Sequence, residues 1–184
     1  MLEICFTGHR PNKLYGYDLN DPKYRKLIDT TQRMMLYLAQ HTNDYDIEAK
    51  QGGALGFDTV SFISCSELRR ASPVDIKIVT CVPFKNQPNK WPQSSQQQYR
   101  RMLQKSDEVI YVDTMPGYDT GAPHGMYTID KMQKRNEYMV DNSRFVISCW
   151  DGSKSGTYNC IKYALSKGKI VYNIDPVTFK AKRI

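Results

Sequence analysis

No apolar run in this chain comes near the ~20 residues that a membrane helix requires. No basic stretch precedes the short apolar run at its start, Met1-Leu2-Glu3-Ile4-Cys5-Phe6. A bilayer span and a secretory leader are therefore not expected, and the expected compartment is the cytoplasm. Histidine is scarce: His9, His41 and His124 stand far apart, and no His/Cys/carboxylate spacing suggests a metal centre. Cysteine is present but unpatterned. Cys5, Cys65, Cys81, Cys149 and Cys160 are odd in number, scattered and without a C-x-x-C pair. Reduced structural thiols are expected rather than a disulfide or zinc framework. Repeats, low-complexity tracts and linker-like stretches are also missing, which points to one domain over residues 1–184.

What is present is ordinary in bulk. The apolar share of 40% and charged share of 24% suit a globular chain. A domain of this size buries about 70% of the surface its unfolded chain exposes. The formal net charge of +7 favours anionic partners. Part of it is peripheral, because Lys180, Lys182 and Arg183 crowd the end of the chain, where they read as a solvated terminus.

Short β-branched or aromatic runs alternate with helical patterns. Strands are predicted at 2–6, 46–50, 76–82, 108–112, 145–149 and 170–174, several of them continuously apolar, as in a sheet covered on both faces. The first helix starts at Asp21-Pro22, an N-cap followed by proline, and carries Tyr24, Leu27, Ile28, Thr31, Met35 and Leu38 on one face. Further helices are predicted at about 55–71, 94–106, 126–141 and 155–167. Strict alternation of strand and helix implies an α/β fold, a mainly parallel sheet between two helix layers. The stretches 83–92 and 114–125 are long, polar and rich in proline or glycine, a composition often found in functional or mobile loops.

In open parallel sheets, ligands bind beyond the carboxyl ends of the strands. Three strand-to-helix loops have unusual composition. Thr7-Gly8-His9-Arg10-Pro11 follows the first strand, and its backbone amides and the Arg10 fork suit an anion. Alternatively, His9 and Arg10 hold loop carbonyls. Gln51-Gly52-Gly53-Ala54-Leu55-Gly56-Phe57-Asp58 follows the second strand; it is neither G-x-G-x-x-G nor a P-loop. Asp58 either meets a ribose hydroxyl or caps its helix. Trp150-Asp151-Gly152-Ser153-Lys154-Ser155-Gly156-Thr157 follows the fifth strand, as an anion cradle or a plain turn and cap. On the fourth helix, Arg135 shares a face with Met139, either pointing toward these loops or lying on a solvated surface.

These segments resemble the motifs of the YpsA-like family of the SLOG superfamily, which also holds the DprA/Smf and LOG families. The similar stretches are Thr7 to Pro11 with Lys13-Leu14 and Gly16-Tyr17; Gly52 to Asp58; Gln133 to Asp141; and Trp150 to Ser153 with Gly156-Thr157 and Asn159-Cys160. The resemblance implies a Rossmann-like three-layer sandwich that recognises nucleotides or nucleotide-derived signals, and a homo-oligomer. Two departures stand out. The Gly-Tyr-x-Pro-Trp stretch of such chains becomes Gly117-Tyr118-Asp119-Thr120-Gly121, without the tryptophan. LOG-type phosphoribohydrolases use an arginine and a glutamate three residues after a Gly-Thr; here Arg135 matches the arginine, and Cys160 stands where the glutamate would be.

The expected function is therefore binding, by sensing or sequestering, of a phosphate-bearing, nucleotide-derived small molecule. Its expected contacts are Thr7, Gly8, His9, Arg10, Gly52, Gly53, Ala54, Asp58, Arg135, Asn136, Asp151, Gly152, Ser153, Gly156 and Thr157, with Trp150 or Tyr17 as stacking partners for a base. Mg²⁺ accompanying the phosphate is allowed, and no other metal is expected. The competing readings are an N-glycosidic-bond hydrolase with Asp58, Asp119, Asp151 or Glu137 as its carboxylate, and, less favoured, a single-stranded nucleic-acid binder. The 13 tyrosines allow the latter.

Overall fold

The six apolar runs become strands, and a seventh strand joins them. The computed structural model describes all 184 residues. In chain order the strands are β1 (Leu2–Gly8), β2 (Asp46–Gln51), β3 (Asp75–Val82), β4 (Glu108–Tyr111), β5 (Phe145–Cys149), β6 (Ile170–Ile174) and β7 (Ala181–Arg183). The helices are α1 (Pro22–Thr42), α2 (Phe57–Ala71), α3 (Gln93–Lys105), α4 (Ile129–Asp141) and α5 (Gly156–Ser166). They form one sheet in the order β4-β3-β2-β1-β5-β6-β7. Every neighbouring pair is parallel except β6 and β7.

This order follows from the handedness of the crossovers. The chain steps outward from β1 to β4, then returns past β1 to β5 and continues to β6. Right-handed connections in opposite directions place their helices on opposite faces. The side chains agree. Ile4 and Phe6 of β1 pack with Leu27, Phe57 and Tyr99 of α1, α2 and α3. Cys5 between them packs with Met139 of α4 and Cys160 and Ile161 of α5. The period-two alternation of β1 thus feeds two cores, giving a Rossmann-like three-layer α/β sandwich. All five cysteines are buried and free. No helix is long and apolar enough to cross a membrane.

Local signals set the helix ends. Asp21 Oδ1 accepts the Lys23 amide at 2.8 Å, and Pro22 opens α1. Helix α4 starts at Ile129, after the predicted 126, because Thr128 Oγ1 accepts the Lys131 amide at 3.2 Å and caps it. Helix α5 is capped by Ser155, whose Oγ accepts the Tyr158 amide at 3.2 Å.

The basic terminus is solvated, as expected, but it also forms a strand that the sequence did not announce. Ala181–Arg183 pairs antiparallel with β6, with Arg183 opposite Tyr172. Three residues are too few for periodicity to register. The reversal is local: Asp175 Oδ1 accepts the Val177 and Thr178 amides at 2.9 and 2.8 Å. Lys182 and Arg183 remain exposed, and charge on an edge strand discourages edge-to-edge pairing.

The stretch 114–125 is fastened by an ion pair. Lys131 Nζ on α4 reaches Asp113 Oδ2 at 3.0 Å and the Pro123 carbonyl at 2.6 Å. Asp113 Oδ2 also accepts the Gly125 amide at 3.2 Å. The side chains are 0% and 2% exposed, so removing one charge strands the other. Asp113→Ala is expected to destabilise the fold by about 3–5 kcal/mol. Asp113→Leu with Lys131→Met should recover most of that. Urea midpoints of the three proteins test this, and equal midpoints for wild type and Asp113→Ala would refute it.

Candidate functional site

The sheet order places the switch of direction between β1 and β5, where Gly8 lies opposite Cys149. The loops leaving these strands lead to helices on opposite faces, which opens a gap at their carboxyl ends. A crevice of about 260 Å³ fills this gap. Thr7, Gly8, His9 and Arg10 line it from the first loop, Ala54 and Asp58 from the second, Arg135 and Asn136 from α4, and Gly156 and Thr157 from α5. Most of the expected contacts thus converge. Gly52 and Gly53 lie behind the wall, and Asp151, Gly152 and Ser153 stand outside it. Asn12, Lys13 and Ser155 also line the crevice and were absent from the expected set. Lys13 lay inside the recognised motif, so its signal was available.

Arg135 is the centre of the arrangement. Its side chain is 6% exposed, and Nη1 reaches Asp58 Oδ2, itself 8% exposed, at 3.4 Å. That is long for a charge-assisted bond, normally about 2.7–2.9 Å. Arg135 Nε is buried without a partner. Asp58 Oδ2 also accepts the Ala54 amide at 3.1 Å, so the carboxylate holds its own loop while facing the guanidinium.

The glycines serve the protein's own packing more than their composition suggests. A Cβ on Gly52 would fall 1.2 Å from Arg135 Nη1, so the guanidinium occupies the space that a side chain would take. A Cβ on Gly8 would fall 2.5 Å from Phe57 Cβ. Gly56 has φ +93°, and a Cβ there would sit 2.3 Å from the His9 carbonyl. That carbonyl accepts the first amide of α2, from Phe57, at 3.1 Å. The first two loops are thereby fused. Gly152 and Gly156 have open space instead, which leaves the third loop accessible.

His9 is also committed internally. It is 2% exposed, and Nε2 lies 2.7 Å from Asp151 Oδ1 and 3.1 Å from the Asp151 amide nitrogen, so the ring is held against the third loop by two contacts. Ser153 gives the same oxygen its amide at 2.9 Å and its hydroxyl at 2.6 Å. Lys13 Nζ then donates to Ser153 Oγ at 2.7 Å, so this chain of contacts ties the first loop to the third. The Ser153 hydroxyl and amide, followed by His9, hold the Asp151 carboxyl well below the usual carboxylate range.

Arg10 stands exposed at the crevice mouth. It lies against the cleft walls, whose desolvation lowers its pKa, while Asp58 opposes the shift and Arg135 adds to it. Arg10, Lys13 and Arg135 therefore stand against the single carboxylate of Asp58 in the crevice lining, a balance that welcomes an anion. Cys160 lies beneath, 0% exposed, and burial pushes its thiol up to about 11. Trp150 packs on Tyr158 and donates Nε1–H to the Ser153 carbonyl at 2.7 Å, outside the crevice. Tyr17 is 68% exposed on a neighbouring cavity.

A family model described as the YspA SLOG family matches residues 4–181. The chain belongs to the YpsA family of SLOG proteins. The uncharacterized SPbeta prophage-derived protein YoqJ of Bacillus subtilis is 37% identical over 147 residues, covering 79% of this chain and 84% of that protein. A UPF0398 protein of Bacillus cereus is 22% identical over 171 residues, covering 92% and 86%. Among solved structures, DNA processing protein A (DprA) of Streptococcus pneumoniae superposes with a TM-score of 0.60 at 14% identity. DprA of Helicobacter pylori, described for its single-stranded DNA binding mode, gives 0.54 at 16%. The YpsA-family chain is covered to 94% in both superpositions but spans only 50% and 64% of those proteins, so the likeness is one of fold.

Two outcomes follow from this geometry. Gly52→Ala should expel the guanidinium and destabilise the protein by about 1–3 kcal/mol. The same change in an Arg135→Ala background should cost less, a coupling that a double-mutant cycle of urea midpoints reads directly. The lowered pKa of Asp151 contributes stability above the unfolded value near ~3.9, lost as pH falls through the folded value. Asp151→Asn should therefore flatten the acid side of the stability profile below about pH 4. Parallel profiles for wild type and variant would show that the carboxylate contributes nothing there.

Proposed function

We propose that this YpsA-family protein binds a nucleotide-derived, phosphate-bearing small molecule, with its phosphate in the crevice at the carboxyl ends of the strands, as a sensor or a sequestering protein. One observation carries the reading. Arg135 is a buried guanidinium with a single long contact to Asp58 and an unpartnered Nε, in the wall of a cavity into which the α5 N-terminus also opens. A buried cation short of hydrogen bonds is costly, and an anion at the crevice supplies what it lacks. The free amides at the start of α5 favour negative charge for the same reason. Family membership and the nucleic-acid ligand named for the Helicobacter protein support a nucleotide-like guest.

Cleavage of a glycosidic bond finds less support. The position that resembles the catalytic glutamate of LOG-type enzymes holds Cys160, buried and with its thiol pushed up to about 11. A neutral thiol does not replace a carboxylate near pH 7, and a lost general acid or base costs about 10²–10⁴-fold in rate.

Calorimetry with AMP, ADP and NAD, with and without Mg²⁺, tests the proposal. Arg135→Ala should weaken binding about 30-fold, corresponding to about 2 kcal/mol for a lost hydrogen bond to a charged group. Arg10→Ala, at an exposed position that leaves the core intact, should weaken it as well. Unchanged affinity in both variants removes the crevice from the site. Release of free base, abolished by Asp58→Asn, would replace the binder with a hydrolase. Salt-sensitive binding of a labelled oligonucleotide without binding of mononucleotides would replace it with a single-stranded DNA binder.

A further inference from the structure

The crevice is too small for a whole nucleotide. At about 260 Å³ it falls below the ~300–1,000 Å³ typical of pockets for small ligands, though a phosphate fits. Beside it lies a cleft of about 940 Å³. The two share Arg10, Asn12 and Met132, so a molecule anchored by its phosphate in one extends directly into the other.

The cleft has a different chemistry. Its charged residues are Arg10 and Lys90, with no carboxylate among its lining. Its aromatic wall is partly rigid: Phe84, 4% exposed, meets Tyr127 edge to face at 5.8 Å and 76°. Tyr127 is itself 59% exposed and Tyr17 is 68% exposed, so both carry ring surface that the core does not use. The loop after β3 adds the amides of Asn86, Gln87 and Asn89. Gln87 is 7% exposed, and its Nε2 reaches the Gly52 carbonyl at 3.4 Å, which ties this loop to the one beneath Arg135.

We infer that the larger cleft is the base chamber of the same site. It receives an adenine ring against Tyr17 and Tyr127, while the ligand's phosphate occupies the crevice beside Arg10 and Arg135. Flat rings with polar edges suit aromatic faces flanked by side-chain amides, and an amide pairs as donor and acceptor with the N6/N7 edge of adenine. The shared Arg10 joins the neutral half of such a ligand to its charged half. A free aliphatic tail would leave the amides unused, and a cationic ligand would face Arg10 and Lys90 with no counter-charge. This inference rests on the nucleotide reading above, but it can fail separately.

The test compares AMP, UMP and ribose 5-phosphate by calorimetry on wild type, Tyr17→Ala and Tyr127→Ala. Both rings are exposed, so neither substitution empties the core. AMP should bind at least about tenfold more tightly than ribose 5-phosphate, the scale of one base stacked on an aromatic side chain. It should also outbind UMP. Each tyrosine variant should bring AMP toward ribose 5-phosphate and leave ribose 5-phosphate itself unmoved. Equal affinities for AMP and ribose 5-phosphate, unaffected by either variant, overturn the base chamber while the phosphate crevice stands. UMP matching AMP overturns the choice of adenine. Failure of all three to bind removes the nucleotide reading and this inference with it.

Discussion

A guanidinium laid over a glycine is the constraint around which the rest of the crevice is arranged. Arg135 occupies the space that a side chain at position 52 would need. At 3.4 Å and an effective dielectric of about 20, its attraction to Asp58 is about 5 kcal/mol. The desolvation of two buried ions costs several kcal/mol each. The pair therefore contributes little net stability, and a hydrophobic pair of similar volume would serve a folded core as well. A charge held at such cost, with hydrogen-bonding capacity unused, makes more sense as a binding device than as a structural one.

The topology explains why this device sits where it does. Strand β1 lies at the centre of the sheet, and its loop is the meeting point of everything that follows. Gly8 and Gly56 let the first and second loops close on each other, and His9, Asp151, Ser153 and Lys13 bind the first to the third. Three loops from distant parts of the chain thus form one rim. The Asp113–Lys131 pair holds α4 to the end of β4, and with it the base of Arg135. Pre-organisation of this kind spares the ordering entropy that a flexible site would lose on binding.

Much of this was legible in the sequence because its physics is local. Continuous apolar strands, Asp21-Pro22 and the three glycine-bearing loops mark themselves within a few residues, and strict alternation then fixes the layers. The site residues most clearly foreshadowed, Arg10, Asp58 and Arg135, do meet at one crevice. Contacts that join remote positions leave no such trace. Asp113 and Lys131 look like surface charges until β4 and α4 are placed together, and β7 is too short to announce itself. The purpose of the glycines was legible only in part. Composition says that backbone comes close to something at Gly52 and Gly56, and the structure identifies that something as the protein's own Arg135 and His9. Trp150 was a reasonable stacking candidate by type, but its indole is bound to the Ser153 carbonyl and its ring to Tyr158.

The difference between gripping and cleaving a nucleotide comes down to what lies beneath the grip. A glycosidase needs an ionisable group that exchanges a proton, or shields a developing cation, within reach of the sugar. The carboxylates near this crevice are already engaged: Asp58 with the Ala54 amide and Arg135, Asp151 with Ser153 and His9. Asp151 lies well below the usual carboxylate range, and an acid held that firmly in its anionic form is a poor proton donor at neutral pH. Cys160 has the opposite fault, since its thiol keeps its proton up to about 11. Neither Asp151 nor Cys160 changes protonation near pH 7, whereas a phosphate can be held by guanidinium charge and backbone amides with no proton transfer.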